Sequence, residues 1–240
     1  MPIDLPRRLL AEVIGTFGFF FIGFTGIAAL TTQAPGAIEA VGIAAGFGFG
    51  LAAMIFAFGQ ISGGHYNPAV TAGLAAARRF PVVEVPAYWA AQLVGGIAAA
   101  GLIRSTFNSQ VLHATLTMPG HGVSNGQAFT LEAVFTGLFI LVIATVAADK
   151  RAPWNGVFAP FGIGLFIFTA ATTAGPISGG SFNPARSLAP AIVDGTWTNQ
   201  WIYVVAPLLG GVIAGAVNLV FRPSDEPELE VMADQPTGRA

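Results

Sequence analysis

One ten-residue text occurs twice in the chain. Residues 61–70 read ISGGHYNPAV and residues 177–186 read ISGGSFNPAR, 116 positions apart (177 − 61). A text repeated at half the chain length points to a fold built twice, and each copy has a definite local meaning. Its two glycines permit backbone turns that other residues resist. Asn followed by Pro starts a helix, because the Asn side chain caps free amides and Pro at the first helical position loses no hydrogen bond. The apolar pieces that come after the two copies are short, Ala69 to Ala77 and Ala185 to Val193. Ten helical residues rise only about 15 Å, half the thickness of a bilayer core. The pattern predicts a half-length helix at each copy.

The setting for those half-helices is a membrane. Of the 240 residues 54% are hydrophobic and 9% charged, where a soluble domain carries roughly 25% charge. Six stretches meet the need for about 20 apolar residues: about 9 to 30, 38 to 60, 86 to 106, 128 to 148, 155 to 174 and 200 to 221. Glu12 inside the first and five further spans behind it argue against a cleavable signal, so the N-terminus is expected to be retained. A net charge of −2 gives no case for nucleic acid. The absence of cysteine removes disulfides, thiolate metal sites and cysteine nucleophiles.

Short loops rich in Lys and Arg stay cytoplasmic. Arg7 and Arg8, Arg78 and Arg79, Lys150 and Arg151, and Arg222 all lie at ends that an even number of crossings puts on one side. Both termini are therefore expected in the cytoplasm, with a bacterial inner membrane as the host. The tail 223–240, with Asp225, Glu226, Glu228, Glu230 and Asp234 among prolines, is too polar to fold and is expected to be disordered.

Alternating crossings present the repeated text once from each face, which is an inverted repeat. Glu12 and Glu132 keep nearly the same interval, and Gly95-Gly96 recurs as Gly210-Gly211. The expected fold is an all-α membrane protein of six transmembrane helices plus two re-entrant half-helices. It forms one channel domain, 1–222, from repeats of about 5–106 and 128–222 joined by the linker 107–127. Half-helices entering from opposite faces meet near the midplane, and non-helical backbone at that depth has to line water or be buried in protein. A pore satisfies this. The carbonyls of Gly63, Gly64, His65 and Tyr66, and of Gly179, Gly180, Ser181 and Phe182, then form a file of acceptors. Asn67 and Asn183 supply donors where the halves meet, and the two helix N-termini repel cations there.

These residues carry a resemblance that covers nearly the whole chain. Two Asn-Pro-Ala boxes (Asn67, Pro68, Ala69 and Asn183, Pro184, Ala185), six spans, and Glu12 and Glu132 at matching places resemble the aquaporins, the major intrinsic protein family of water and small-solute channels. The resemblance implies a homotetramer in the lipid bilayer with one pore per subunit and no cofactor or metal. It also implies a narrow outer filter of Phe47, Ala171, Gly180 and Arg186, in which Arg excludes protons and cations. Strict water channels place His at the position of Ala171. Glycerol channels place Asp after the Arg, where this chain has Ser187, and a bulky aromatic at Gly180. The text around Arg186 is most similar to the nodulin-like intrinsic proteins of plants and their bacterial relatives, which often pass undissociated arsenite, boric acid, glycerol or ammonia. The expectation is a passive channel for water and small uncharged solutes, wider than a water-only pore, with strict water selectivity as the alternative.

The same residues admit other readings. Arg186 could snorkel to lipid phosphates. Glu12 and Glu132 could relay protons, but no Lys or His accompanies them in the spans, and acceptors for the re-entrant amides are needed. His65 could be a pH switch or a satisfied structural histidine. His113 and His121 lack a third partner for a metal. A coupled transporter would want an ion-binding group at the midplane, where the sequence places Asn, Pro and Ala. An intramembrane enzyme would want a base beside Ser62 or Ser178.

Overall fold

The computed structural model describes residues 3–32, 40–147 and 157–221. Lys150, Arg151, Arg222 and the acidic tail, on which part of the orientation and tail expectations rest, lie outside the described residues.

Among the described residues the long helices are α1 (Leu5–Thr32), α2 (Ala40–Ser62), α4 (Val85–Thr106), α6 (Asn125–Val146), α7 (Ala159–Ser178) and α9 (Ile202–Phe221). All six are long and apolar enough to cross a membrane. Helix α1 starts four residues before the apolar run at 9, because the Asp4 side chain accepts from Arg7 N at 3.2 Å and caps the first turn. A 3₁₀ turn, Val82–Glu84, leads into α4. Ser124 and Gln127 close a reciprocal capping box that fixes the start of α6.

The two half-helices are α3 (Pro68–Ala76) and α8 (Pro184–Asp194), each with Pro in its first turn and Asn as its cap. One element was not expected: a six-residue helix, α5 (Ser109–Ala114), inside the linker, capped by Asn108 Oδ1 on Val111 N at 2.9 Å.

Packing repeats between the halves. Helix α1 lies against α2 and α4, and α6 lies against α7 and α9, while α2 and α7 pack on each other across the middle. The closeness of α1 to α4 and of α6 to α9 depends on the paired glycines. A Cβ on Gly95 would collide with Val13 O, and one on Gly210 with Ala133 O, so only glycine lets these backbones approach. Half-helix α3 packs on α9 and α4, and α8 packs chiefly on α4. Each half-helix is thereby buried in protein, which membrane depth demands of the irregular backbone leading into it.

Candidate functional site

The two copies of the repeated text meet at their helix starts. Asn67 Oδ1 accepts from Ala69 N at 2.8 Å, and Asn183 Oδ1 accepts from Ala185 N at 3.0 Å and Arg186 N at 3.3 Å. The amide nitrogens of both side chains point the other way. Asn67 Nδ2 donates to Phe182 O at 2.9 Å, and Asn183 Nδ2 donates to Tyr66 O at 2.9 Å. This reciprocal exchange pins the two N-termini together. Each Nδ2 carries two hydrogens and uses one here.

That exchange requires Tyr66 and Phe182 to turn their carbonyls across the junction. Both adopt left-handed backbone, φ 48° and φ 51°, at a cost of about 1–2 kcal/mol each for residues with a Cβ. Two buried carboxylates offset the cost. Glu12 accepts from His65 N at 3.0 Å, Tyr66 N at 2.8 Å and Ser62 Oγ at 2.7 Å. Glu132 accepts from Ser181 N at 3.0 Å, Phe182 N at 2.7 Å and Ser178 Oγ at 2.8 Å. Both are fully buried. Glu12 and Glu132 thus hold the amides of their own turns.

Sequence reasoning missed the outer supports of these turns. Tyr88 OH donates to Ser62 O at 2.8 Å, and Tyr203 OH donates to Ser178 O at 2.6 Å. The two tyrosines are 115 apart (203 − 88), the interval that separates Gly95 from Gly210, so the signal was present. Gln92 also reaches Glu12 Oε2, at 2.8 Å. Trp89 Nε1 donates to Pro68 O at 3.0 Å, so this proline's carbonyl faces a helix.

Two cavities adjoin the junction. The larger, about 390 Å³, is mostly apolar, with Leu51, Ile55, Phe139 and Ile163 facing Gly63, Gly64 and His65. The smaller, about 20 Å³, is bounded by Phe47, Ala171, Gly180 and Arg186 together with Asn67 and Asn183. His65 lines both. Its Nδ1 lies 3.0 Å from Thr71 Oγ1, and its ring packs edge-on against Phe80. Ser181 and Phe182 line the smaller cavity, whereas Tyr66 and Gly179 line neither. Of the eight carbonyls expected in one file, those of Tyr66 and Phe182 each accept one bond from the opposite asparagine. Gly179 sits beside Met118 and Tyr203. Ala69 and Ala185 are fully packed.

Arg186 is buried and does not reach out to a lipid surface. Its Nη1 donates to Thr115 O at 2.7 Å, and its guanidinium lies 5.2 Å from the Phe47 ring centre and 5.6 Å from that of Phe24. The N-terminus of each half-helix contributes roughly half a positive charge beside this permanent cation. The smaller cavity is therefore bordered by positive charge from three sources, Arg186 and the two helix N-termini.

Comparison with known proteins agrees with this geometry. A family model described as Major intrinsic protein matches residues 2–218. The chain is 40% identical to nodulin-26 of Glycine max over 223 residues, covering 92% of this chain and 80% of that protein. It is also 40% identical to the probable aquaporin NIP4-2 of Arabidopsis thaliana, covering 95% of this chain and 79% of that protein. Among solved structures, the X-ray structure of the aquaglyceroporin from Plasmodium falciparum superposes with a TM-score of 0.81 at 26% identity, covering 88% of this chain and 94% of that one.

Proposed function

The chain belongs to the major intrinsic protein family, whose members are passive membrane channels for water and small solutes rather than enzymes, and from that premise we propose how its pore selects. The lumen runs through the larger cavity, past Asn67 and Asn183, to a filter of Phe47, Ala171, Gly180 and Arg186. One observation carries the reading: both asparagines and Arg186 border a single cavity of about 20 Å³. A water molecule there takes the free hydrogen of each Asn Nδ2 on its oxygen. Its own hydrogens then point away from the junction in both directions, and no proton is handed across. Cations meet two helix N-termini and a guanidinium, and among the described residues that line the cavity none is a carboxylate.

The solute beyond water is set by the filter. Ala171 and Gly180 leave one wall free of side-chain bulk, so a small movement of Phe47 or Arg186 admits glycerol or an undissociated boric or arsenous acid. A cavity needs about 10–15 Å³ to hold one water, and the 20 Å³ found here favours a second reading, a channel for water alone. Arg7, Arg8, Arg78 and Arg79 support cytoplasmic termini. The plant relatives give the expected bacterial host no support. A homotetramer is implied by the family resemblance, and the apolar groove of Val134, Leu138, Leu209 and Ile213 on α6 and α9 is a surface that a neighbour or lipid would cover.

The test uses proteoliposomes carrying the parent chain and Arg186→Val, with shrinkage in sucrose, glycerol, boric acid and arsenite followed beside a pH-sensitive dye. The parent passes water and at least one neutral solute without proton leak, and the variant leaks protons or cations. Equal leak in parent and variant removes Arg186 from the filter.

A further inference from the structure

The two repeats are stitched to the rest of the protein by different kinds of partner. Positions 65 and 71 of the first copy correspond to 181 and 187 of the second at the 116 interval. In the first copy Thr71 Oγ1 accepts from Gln92 Nε2 at 3.0 Å, and Gln92 belongs to the middle of the long helix α4. At the 115 interval that carries Gly95 to Gly210, the residue of α9 corresponding to Gln92 is Pro207, which has no side-chain donor. Its place is taken by a residue of the α5–α6 connector. Thr117 Oγ1 donates to Ser187 Oγ at 2.7 Å.

The hydrogens along this second stitch have a single arrangement. Thr117 gives its hydrogen to Ser187, and Ser181 gives its hydrogen to Asn183 O at 2.8 Å. The remaining contact, between Ser181 Oγ and Ser187 Oγ, therefore uses the hydrogen of Ser187. The chain runs one way, from Thr117 through Ser187 and Ser181 to the backbone of Asn183. Thr117 and Ser187 are fully buried and Ser181 nearly so.

The same connector holds the arginine. Thr115 O, two residues from Thr117, accepts from Arg186 Nη1 at 2.7 Å, and Gln200 Nε2 donates to Thr117 O at 3.2 Å. Further along, Gly120 N donates to Ile177 O at 2.8 Å. Arg186 and Ser187 are adjacent, so one short piece of connector grips both: Arg186 by a carbonyl and Ser187 by a hydroxyl.

We propose that Thr117 is a positioning residue for Arg186. Through its bond to Ser187 it keeps the Thr115 carbonyl where the guanidinium needs it, and so sets the width and charge of the narrow mouth. The inner turn, held by a membrane helix, has no such dependence on a loop. The inference rests on the reading of Arg186 as the mouth residue.

Its test compares Thr117→Val, which keeps the shape and removes the hydroxyl, with Thr117→Ser, which keeps the hydroxyl, and with Arg186→Val in the same liposomes. The quantity read is the ratio of glycerol to water flux, at protein levels and thermal stabilities matched between preparations. Loss of one neutral hydrogen bond changes the population held in place by on the order of fivefold, so Thr117→Val raises the ratio by about that factor and Thr117→Ser restores it. An altered ratio in Arg186→Val with a parental ratio in Thr117→Val overturns the positioning role alone. Parental ratios in both overturn the mouth reading as well. If Thr117→Val does not fold, Ser187→Ala, which removes the acceptor of the same bond, is judged by the same ratio.

Discussion

Replacing Glu132 by Leu tests how much of the second re-entrant turn hangs on one carboxylate. Leu is close to Glu in size, so packing changes little, and the effect lies in three donors. Ser178 Oγ has a second acceptor in Ala174 O at 3.2 Å and turns to it. The amides of Ser181 and Phe182 have Glu132 as their acceptor, at 3.0 Å and 2.7 Å, and both are stranded. A stranded buried donor costs about 1–3 kcal/mol, so the pair costs about 2–6 kcal/mol. Removing a buried charge offsets part of this, which leaves an expected loss of about 3 kcal/mol, a large share of a typical stability of roughly 5–15 kcal/mol. Glu132→Gln is the informative companion. Its amide oxygen can still accept from Ser181 N, while its NH₂ faces the Phe182 amide, so it strands one donor and, with the same offset for the lost charge, costs about 1–2 kcal/mol. The assay is unfolding by SDS in mixed micelles, followed by tryptophan fluorescence, with water flux measured on the same preparations. Flux falls with stability, because Phe182 carries the carbonyl that holds Asn67. A Leu variant within about 0.5 kcal/mol of the parent would refute the anchoring role, since no loss that small strands two buried amides.

The packing and the filter each give a further outcome. Gly210→Ala places a methyl against Ala133 O and lowers stability in the same unfolding assay, whereas Gly126→Ala, where a Cβ meets nothing within 4 Å, does not. Ala171→His fills the open wall of the smaller cavity and adds a donor, so glycerol or boric acid flux drops while water flux persists. Undiminished solute flux in that variant means that position 171 does not face the lumen.

Much of this architecture was legible because its signals are chemical types at fixed intervals. The six spans are read from unbroken apolar runs, and the half-helices predicted at Ala69 to Ala77 and Ala185 to Val193 occur at Pro68–Ala76 and Pro184–Asp194. Asn-Pro marks a helix start so strongly that tertiary context had little left to decide. The roles of Thr115 and Thr117 were not legible, for a physical reason. Thr115 acts through a backbone carbonyl, which every residue has, on an arginine 71 positions away. Helix α5 escaped notice because six residues in a polar linker give too few turns for a periodicity. Tyr88 and Tyr203 could have been found from their interval, but a tyrosine near the end of an apolar span is ordinarily taken for an interfacial anchor. The two turned carbonyls at Tyr66 and Phe182 were unreadable, since a bulky residue is a poor candidate for left-handed backbone until a buried carboxylate is seen to hold its amide.

The central claim is that the two half-helix N-termini flank one continuous lumen that passes water and stops protons. Stopped-flow shrinkage of proteoliposomes, recorded across a range of temperatures with a pH-sensitive dye sealed inside, tests it most directly. The account predicts fast water flux with a shallow temperature dependence, indifferent to any ion gradient and without a change in dye signal. Flux as steep in temperature as bare lipid, or tied to an ion gradient, or accompanied by proton entry, would contradict it.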